Sequence, residues 1–267
     1  MTGTFATLDK AEISRSFSAA AGGYDGWAVA QDGLAGGLVR RLPAGIVAAT
    51  VVELGCGTGL LSRRLLARFP GAIFLGLDLA PGMIDACRRT FAEERRARFE
   101  TADVEDPRAC RSPVDLVATS CSAQWFAEPA ATLRRWGGAL APGGHLAATV
   151  LVRGSYPELE AAHREAFAAP FPGLALPAEE EAAALLAGAG LDLVAAEAET
   201  VTVRYRSARE ALASFRGIGA ELRGQPGRCA LGAGRTRRLL AAYEACADAG
   251  GPAITHRAVH AIARRAA

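Results

Sequence analysis

The sequence predicts an α/β fold in which a parallel sheet carries helices on both faces. Between residues 45 and 152, short apolar runs alternate with segments whose apolar positions recur at helical spacing. A glycine-rich turn, "GCGTG", directly follows the first apolar run, a position typical of sites for nucleotide-like ligands. The length of 267 residues and the hydrophobic content of 51% suit one α/β domain with an insertion.

The first five strands are expected at short apolar runs. These are "TVVEL", "AIFLGLD", "ARFETAD", "VDLVATS" and "HLAATVLV". Between them we expect helices at "GLLSRRLLARF", at "PGMIDACRRTFAEERR", which a proline opens, and at "PAATLRRWGGAL", with "APGG" as a turn. Residues 11–21 and 28–41 form two further helices before the first strand. Right-handed crossovers then bring the carboxyl end of every parallel strand to one rim of the sheet.

After Val152 the alternation gives way to helices. "YPELEAAHREAFAA" and "PAEEEAAALLAGAG" are predicted helices, and residues 207–250 are helical and rich in arginine. "LDLVAAEAETVTVRYR" forms one or two strands, and "AITHRAVHAIARR" forms a final strand.

The cysteine and histidine spacing predicts neither a disulfide framework nor a metal site. The six cysteines include no CxxC pair, which indicates free thiols in a reducing compartment. His256 and His260 could share one face of a strand or a helix, but no third ligand is near them in the sequence. No apolar run reaches about 18 uncharged residues and no secretory h-region is visible, so we expect no membrane span and a cytoplasmic location.

The charge is unevenly distributed along the chain, although the net charge is only +2. Residues 1–200 hold 18 basic and 24 acidic residues, whereas residues 201–267 hold 12 basic and 4 acidic residues. This basic C-terminal quarter suits an acidic partner or substrate, or else it is the solvated face of arginine-rich helices.

The glycine turn departs from the dinucleotide-binding pattern. Gly55, Gly57 and Gly59 give G-x-G-x-G, and the place of the third glycine in G-x-G-x-x-G is taken by Leu60. Glu53 lies just before the turn, where a carboxylate would repel a pyrophosphate but suits a ligand that carries an ammonium and a sulfonium. The turn therefore favours S-adenosylmethionine over NAD.

Acidic residues also end the second and third predicted strands. Asp78 can accept both ribose hydroxyls, a role that NAD and S-adenosylmethionine proteins share. Asp103 or its neighbouring backbone can meet an adenine amino group, although a helix N-cap would place the same residue there. Acids at three successive strand ends together indicate a cofactor site.

The motifs "VELGCGTG", "LGLDLAPGMIDAC", "TADVED" and "LAPGGHL" resemble the class I S-adenosylmethionine-dependent methyltransferases. The resemblance implies a doubly wound, Rossmann-like sheet of seven mostly parallel strands, with "AITHRAVHAIARR" as the antiparallel last strand. It implies one domain over residues 1–267, with a helical cover at 1–44, a cofactor-binding core at 45–152 and a helical lid for the substrate and its carrier at 206–250. It adds four expected cofactor contacts: Leu79, Met83, Val104 and Ser120.

Four further stretches resemble a narrower family, the malonyl-carrier-protein O-methyltransferases. These are "RSFSAAAGGYDGWAVAQ", "SCSAQWF", "LVRGSYPELEAAH" and "SFRGIGAELRG". This resemblance implies methylation of the free carboxylate of malonyl-acyl carrier protein, the step that opens the route to the pimeloyl chain of biotin. The implied partner, acyl carrier protein, is strongly acidic and would dock on arginines of the C-terminal quarter: Arg206, Arg209, Arg223, Arg228, Arg235, Arg237 and Arg238.

The implied reaction needs no general base, because a malonyl carboxylate is already ionised at neutral pH. A carboxylate that leaves water needs a compensating cation, and a guanidinium suits it best. Arg216 is the candidate, and Arg204, Arg206 and Arg223 remain alternatives. Tyr24 could donate its hydroxyl to the acceptor or to the cofactor's carboxylate, or it could be a half-buried lid aromatic. Gln124 and Trp125 are expected to shape the pocket, and for Trp125 a core position is equally compatible.

Other functions remain open at this stage. They are methylation of a free small acid, such as an aconitate-type substrate, and a non-catalytic S-adenosylmethionine-binding module. An NAD oxidoreductase is disfavoured by Leu60 and Glu53. Nucleic-acid methylation is disfavoured because the chain lacks a Pro-Cys nucleophile and an Asn/Asp-Pro-Pro-aromatic run.

Overall fold

A seven-stranded sheet forms the centre of the molecule in a computed structural model that describes residues 9–110, 113–220 and 232–267. The strands are β1 (Thr50–Leu54), β2 (Ile73–Asp78), β3 (Ala97–Thr101), β4 (Val114–Ser120), β5 (Leu140–Leu151), β6 (Asp192–Arg204) and β7 (Ala253–Arg264). Their order is β3-β2-β1-β4-β5-β7-β6, and β7 runs antiparallel to both of its neighbours. The predicted doubly wound sheet with an antiparallel last strand is confirmed.

Helices cover both faces of this sheet. They are α1 (Lys10–Ala20), α2 (Tyr24–Trp27), α3 (Val29–Arg41), α4 (Leu60–Arg68), α5 (Pro81–Thr90), α6 (Pro129–Gly138), α7 (Pro157–Phe167), α8 (Glu179–Ala187), α9 (Ala208–Gly217) and α10 (Ala233–Ala245). On one face Leu38 of α3 and Leu65 of α4 pack against Phe74 of β2. On the other face Trp136 of α6 and Leu186 of α8 close a second core. Burial of these apolar faces holds the three layers together.

Helices α7, α9 and α10 pack on one another rather than on the sheet centre. Leu159 of α7, Leu239 and Tyr243 of α10 form their shared core with Ile254 of β7. The Tyr243 hydroxyl donates to the carbonyl oxygen of Ala253 at 2.6 Å. Because β7 is antiparallel, its beginning lies at the rim where the parallel strands end. The helical cluster therefore stands beside that rim.

The predicted elements agree with the structure except in a few places. The "APGG" turn is wrong, because residues 141–144 belong to β5. The register passes from Val114 opposite Leu140 to Leu116 opposite His145, so the additional residues bulge out of the ladder. Helix α5 ends at Thr90, six residues before the predicted end, and "LDLVAAEAETVTVRYR" gives one strand, β6.

A buried polar network joins α3 to the outer strands. His260 of β7 lies 2.9 Å from the Glu199 carboxylate through Nε2 and 2.9 Å from the Thr149 hydroxyl through Nδ1. Arg41 of α3 donates to the same carboxylate at 2.6 Å. A Cβ at Gly37 would overlap the Glu199 side chain, so glycine allows α3 to lie directly on the pair. The network fixes the edge strand β6 against the helix.

Within the described ranges, no helix is both long and apolar enough to cross a membrane. No group of three histidine, cysteine, aspartate or glutamate side chains in the same ranges could hold a metal ion. His256 and His260 do lie on one face of a strand, four residues apart on β7, and both are buried.

His256 should make stability depend on pH. Burial lowers the pKa of its ring from 6.5 to about 4, while the Glu158 carboxylate opposes this. In the unfolded chain His256 becomes protonated below about pH 6.5, whereas in the folded protein its ring stays neutral down to about pH 4. The free energy of unfolding therefore falls as the pH is lowered through this interval. The loss attributable to His256 amounts to about 3 kcal/mol.

We therefore expect His256→Gln to flatten the fall in unfolding free energy between pH 6.5 and 4.5, measured by urea denaturation. His145→Gln is the matched control, since His145 is only half-buried and should change the slope less. An unchanged slope in His256→Gln would contradict this assignment.

Candidate active site

A cleft opens where β1, β2 and β4 end, beneath α1 and α2. The space within it, open mouth included, is about 890 Å³. Eleven residues that the sequence analysis proposed for the site line it: Tyr24, Glu53, Gly55, Gly57, Asp78, Leu79, Met83, Asp103, Val104, Ser120 and Trp125. The rim of strand ends thus brings most of the proposed cofactor residues together.

The three glycines of the turn differ in what surrounds them. All have positive φ angles, 67° at Gly55, 55° at Gly57 and 94° at Gly59. A Cβ would overlap the Ser122 side chain at Gly55 and the Phe91 ring at Gly59, whereas Gly57 has open space on that side. Gly59, which does not line the cleft, is therefore required by packing against α5, and Gly57 leaves room for a ligand.

Glu53 is a buried carboxylate with little compensation. It is 2% exposed, and its side chain accepts a hydrogen bond from the Ser62 hydroxyl of α4 at 2.6 Å. Burial, with a smaller contribution from the charge of Asp78, raises the pKa of Glu53 to about 8. In the empty cleft the Glu53 side chain therefore holds its proton at neutral pH, and a bound cation would favour its ionised form.

Asp78 closes the glycine turn from β2. Its two carboxylate oxygens accept the backbone N–H of Gly57 and of Ala80, each at 2.8 Å. These bonds fix the carboxylate on the cleft wall, and each oxygen keeps a further lone pair for a ligand hydroxyl.

Lys10 belongs to α1, which we call the cover helix, and it reaches the part of the cleft that follows β3. Its Nζ lies 2.6 Å from Asp103 and 2.7 Å from Glu105, which follow β3. Asp103 also accepts the backbone N–H of Glu105 at 2.9 Å. Asp103 thus sits at the position expected for an adenine contact, but it shares its carboxylate with α1. The sequence reasoning missed Lys10, although the acidic run "ADVED" needs a cation and the chain has one lysine.

Asp25 joins the cover to the glycine turn. Its carboxylate accepts the Thr58 hydroxyl at 2.5 Å and the Arg63 guanidinium at 3.0 Å. The adjacent Tyr24 packs with Met83 and Ala80 over the start of α5. These contacts place Tyr24 above the cleft, and no motif in the sequence signalled Asp25.

The cleft is negatively charged. Among its described lining residues the acids are Glu53, Asp78, Asp103 and Glu105, and the single basic residue is Lys10. Because Lys10 is already engaged by two of these acids, Glu53 and Asp78 face the cleft without a basic side chain beside them. This suits a cationic ligand and disfavours a diphosphate.

The end of β4 provides the remaining wall. Cys121 has a φ of 52°, and the Gln124 side-chain amide donates to its carbonyl oxygen at 2.7 Å. Gln124 is buried, does not line the cleft, and keeps its Oε1 without a partner among the described residues. Trp125 is half-buried and stacks edge-to-face with Phe17 of α1 at 5.3 Å.

The arginines proposed for substrate binding lie outside the cleft lining. Arg204 forms an exposed ion pair with Asp248 at 2.5 Å, and Arg206 forms one with Glu210 at 2.9 Å. Arg216 is exposed near the end of α9. Arg223 lies outside the described residues.

Glu53→Gln should stabilise the ligand-free protein at neutral pH. The wild-type side chain binds its proton more tightly in the folded protein than in the unfolded chain. The free energy of unfolding therefore falls as pH rises from about 4.5 to about 8. The side-chain amide of the variant does not ionise, so the variant does not lose this stability. Its amide oxygen can still accept the Ser62 hydroxyl. The gain should be on the order of 3 kcal/mol at pH 7 and vanish near pH 4.5. Denaturant titration at pH 7 and pH 4.5 measures it, with the exposed Asp85→Asn as control. A Glu53→Gln protein no more stable than the wild type at pH 7 would refute the assignment.

Comparison with known families agrees with this site. The family profile described as "Methyltransferase domain" matches residues 52–146. The phosphoethanolamine N-methyltransferase 2 of Haemonchus contortus, solved with phosphomonomethylethanolamine and S-adenosylhomocysteine, has a TM-score of 0.53 at 15% identity. That alignment covers 87% of this chain and 53% of the other. At this identity the likeness shows the fold.

Two sequence relatives are closer. The trans-aconitate 2-methyltransferase of Methylobacterium nodulans is 41% identical over 41% of each chain. The malonyl-[acyl-carrier protein] O-methyltransferase of Hahella chejuensis is 32% identical over 96% of this chain and 91% of its own length. Since the second likeness extends over nearly the whole chain, this protein is a methyltransferase that belongs to the malonyl-[acyl-carrier protein] O-methyltransferase family.

Proposed function

We propose that the protein transfers a methyl group from S-adenosylmethionine to the free carboxylate of malonyl-acyl carrier protein, the step that starts pimeloyl chain synthesis for biotin. The observation that carries the proposal is the acidic cleft around Glu53, in a chain whose family likeness covers almost its full length. We infer the substrate from the family to which the chain belongs. The acidic side chains of the cleft support S-adenosylmethionine as the cofactor.

The lining residues fit this cofactor. Glu53 would face its ammonium and sulfonium end, and Asp78 would accept the ribose hydroxyls. Asp103 and Val104 would meet the adenine, while Leu79, Met83 and Ser120 complete the walls. Bound there, S-adenosylmethionine would supply a methyl group on a positively charged sulfur, which a carboxylate can attack.

The described cleft residues are suited to hold an anion in place rather than to remove a proton. No histidine lines the cleft, and burial raises the pKa of the Cys121 thiol to about 12, so it remains protonated at neutral pH. Burial likewise raises the pKa of Tyr24, which keeps its hydroxyl as a donor. A carboxylate nucleophile needs alignment and exclusion of water, which such groups provide.

The cover helix provides the exclusion of water. Ile13 and Phe17 of α1 pack with Leu79 and Trp125 across the cleft mouth. The Ser14 hydroxyl donates to the Leu79 carbonyl oxygen at 3.1 Å. Together with the ion pairs of Lys10, these contacts hold α1 closed over the reacting groups.

Arg216 remains our candidate for the substrate carboxylate because of where α9 lies. A Cβ at Gly217 would overlap the Trp27 ring of α2, and the Ser16 hydroxyl of α1 donates to the Gly219 carbonyl oxygen at 2.8 Å. The end of α9 thus touches the cover of the cleft. Arg204 and Arg206 lie farther along the chain from this contact and pair with Asp248 and Glu210.

The decisive test is incubation with labelled S-adenosylmethionine and malonyl-acyl carrier protein, followed by mass spectrometry of the phosphopantetheine arm. We expect the label in a methyl ester of the malonyl group. Preference for free malonate or another small acid would favour the alternative of a small-acid methyltransferase. Cofactor binding with no transfer to any acid would favour a non-catalytic module.

Exposed arginines just before α9, on α9 and on α10 are proposed to dock the acidic carrier. Those in the described chain are Arg206, Arg209, Arg235, Arg237 and Arg238, whereas Arg223 and Arg228 lie outside it. Arg235 and Arg238 rest on the Phe167 ring, 4.7 Å and 5.7 Å from its centre. Arg209 and Arg237 are exposed, so their substitution tests charge rather than packing.

The double variant Arg209→Glu, Arg237→Glu should raise KM for the malonyl carrier about tenfold at low salt, with kcat and KM for S-adenosylmethionine unchanged. The difference should shrink as salt screens the charges. Arg89→Glu, Arg134→Glu is the matched control, because it makes the same charge change on α5 and α6. Equal KM values for the two double variants would disprove carrier docking on α9 and α10.

A further inference from the structure

Two residues with positive φ pack against one apolar cluster: Cys121, which lines the cleft, and Tyr156, which lies behind that lining. Non-glycine residues with positive φ among the described ones are Cys121 at 52°, Tyr156 at 65° and Ala168 at 50°. Cys121 and Tyr156 pack in the same apolar cluster although they are 35 positions apart. Such backbone is strained and tends to gather at functional sites.

The surrounding hydrogen bonds hold both residues in this conformation. The N–H of Cys121 donates to the Thr149 carbonyl oxygen at 3.0 Å, and the N–H of Tyr156 donates to the Thr255 carbonyl oxygen at 2.7 Å. The Ser155 hydroxyl donates to the Val152 carbonyl oxygen and accepts the N–H of Arg257, each at 2.9 Å. The loop between β5 and α7 is therefore fixed to β7, and Tyr156 cannot relax without breaking these bonds.

Packing orients the Tyr156 ring, but its hydroxyl has no hydrogen-bond partner among the described residues. The ring meets Phe215 at 5.4 Å and His256 at 5.1 Å, both edge-to-face. A phenylalanine would make the same contacts. No residue in the described part of the chain forms a hydrogen bond with the Tyr156 hydroxyl, although a largely enclosed tyrosine usually finds a partner.

The hydroxyl of Tyr24 likewise has no hydrogen-bond partner among the described residues. It lines the cleft together with Cys121, and Cys121 packs in the cluster that contains Tyr156. No hydrogen bond joins the Tyr24 hydroxyl to any residue that the structure describes. Burial raises the pKa of both tyrosines, with the Cys121 thiol as a shared neighbour, so both stay protonated. Cys121, which follows the end of β4, marks what we call the Cys121 corner. The hydroxyls of Tyr24 and Tyr156 are thus two donors near this corner.

We infer that Tyr156 donates its hydroxyl to the reacting carboxylate of the substrate, opposite Tyr24, and is a further substrate-binding residue of this enzyme. The inference rests on the proposed function, because it assumes a carboxylate acceptor. The corner lies at the ends of β4 and β5, next to Ser120 at the cleft wall, which is where an acceptor must approach a cofactor held by β1 and β2.

Neutral donors suit this nucleophile. A carboxylate oxygen forms the O–CH₃ bond as the S–CH₃ bond breaks, the electron pair of that bond stays on sulfur, and no proton is transferred. A hydroxyl orients the attacking oxygen and offsets part of its lost hydration, in addition to the positive charge that the Arg216 guanidinium would supply. Since the step moves no proton, a tyrosine that never ionises fits the task.

Tyr156→Phe tests this with the packing preserved. A hydrogen bond to a charged group contributes about 1.5–3 kcal/mol, so kcat/KM for malonyl-acyl carrier protein should fall roughly 10- to 100-fold. The dissociation constant for S-adenosylmethionine and the thermal midpoint should be unchanged. Affinity for the methyl-ester product on its carrier should also change little, because the product lacks the anionic group.

Tyr205→Phe is the matched control, since Tyr205 is a half-buried tyrosine that packs against the same helical cluster as Tyr156 but not against the cluster that holds Cys121. Wild-type kcat/KM in Tyr156→Phe would overturn the inference, and so would equal losses for substrate, product and cofactor, which indicate a structural role. If the wild type methylates a different acid instead, the proposed function fails, and the same comparison on that acid still decides the role of Tyr156.

Discussion

The burial of Glu53 is the constraint on which the rest of the site depends. A carboxylate at the end of a central strand, with a single serine hydroxyl beside it, costs folding free energy at neutral pH. The surrounding strands, rather than the residue itself, must supply the stability that tolerates it. Its neighbour Asp78 is satisfied by backbone donors and adds a second negative charge. A cationic ligand relieves both, which is why the fold and the proposed cofactor fit each other.

This acidic cleft also explains how its cover is fastened. Lys10 crosses to Asp103 and Glu105 at one end of the cleft, and Asp25 reaches Thr58 and Arg63 at the other. The attachments are half-exposed ion pairs and hydrogen bonds, so each contributes modestly and can open and close. The apolar contacts of the cover with the cleft mouth then exclude water once it is closed. A cover tethered in this way lets a ligand enter and still isolates the reaction.

The part of the site that is local in sequence could be predicted, and the part assembled over long distances could not. β1, the glycine turn and Asp78 follow from one apolar run, from φ angles that favour glycine and from a strand end. Lys10, Asp25 and Tyr156 act through partners far away in the chain, and a single sequence does not contain that proximity. The "APGG" turn was misread for a similar reason, because the chain beyond β7 pairs with the bulge and holds it in the sheet. The arginines were named from charge alone, and charge does not specify which carboxylate a guanidinium meets.

The two halves of the site differ in origin for a physical reason. A cofactor that is the same in every turnover can be held by backbone and strand ends, whose geometry the parallel sheet imposes. The acceptor side that we propose comprises α2, the β5–α7 loop and α9, which come from distant parts of the chain and come together only in the folded protein. Because a carboxylate needs no base, selection there depends on donors placed at the right distance and on the absence of water. Substrate choice can therefore change through a few side chains on these helices while the sheet, and the charge it buries, stay as they are.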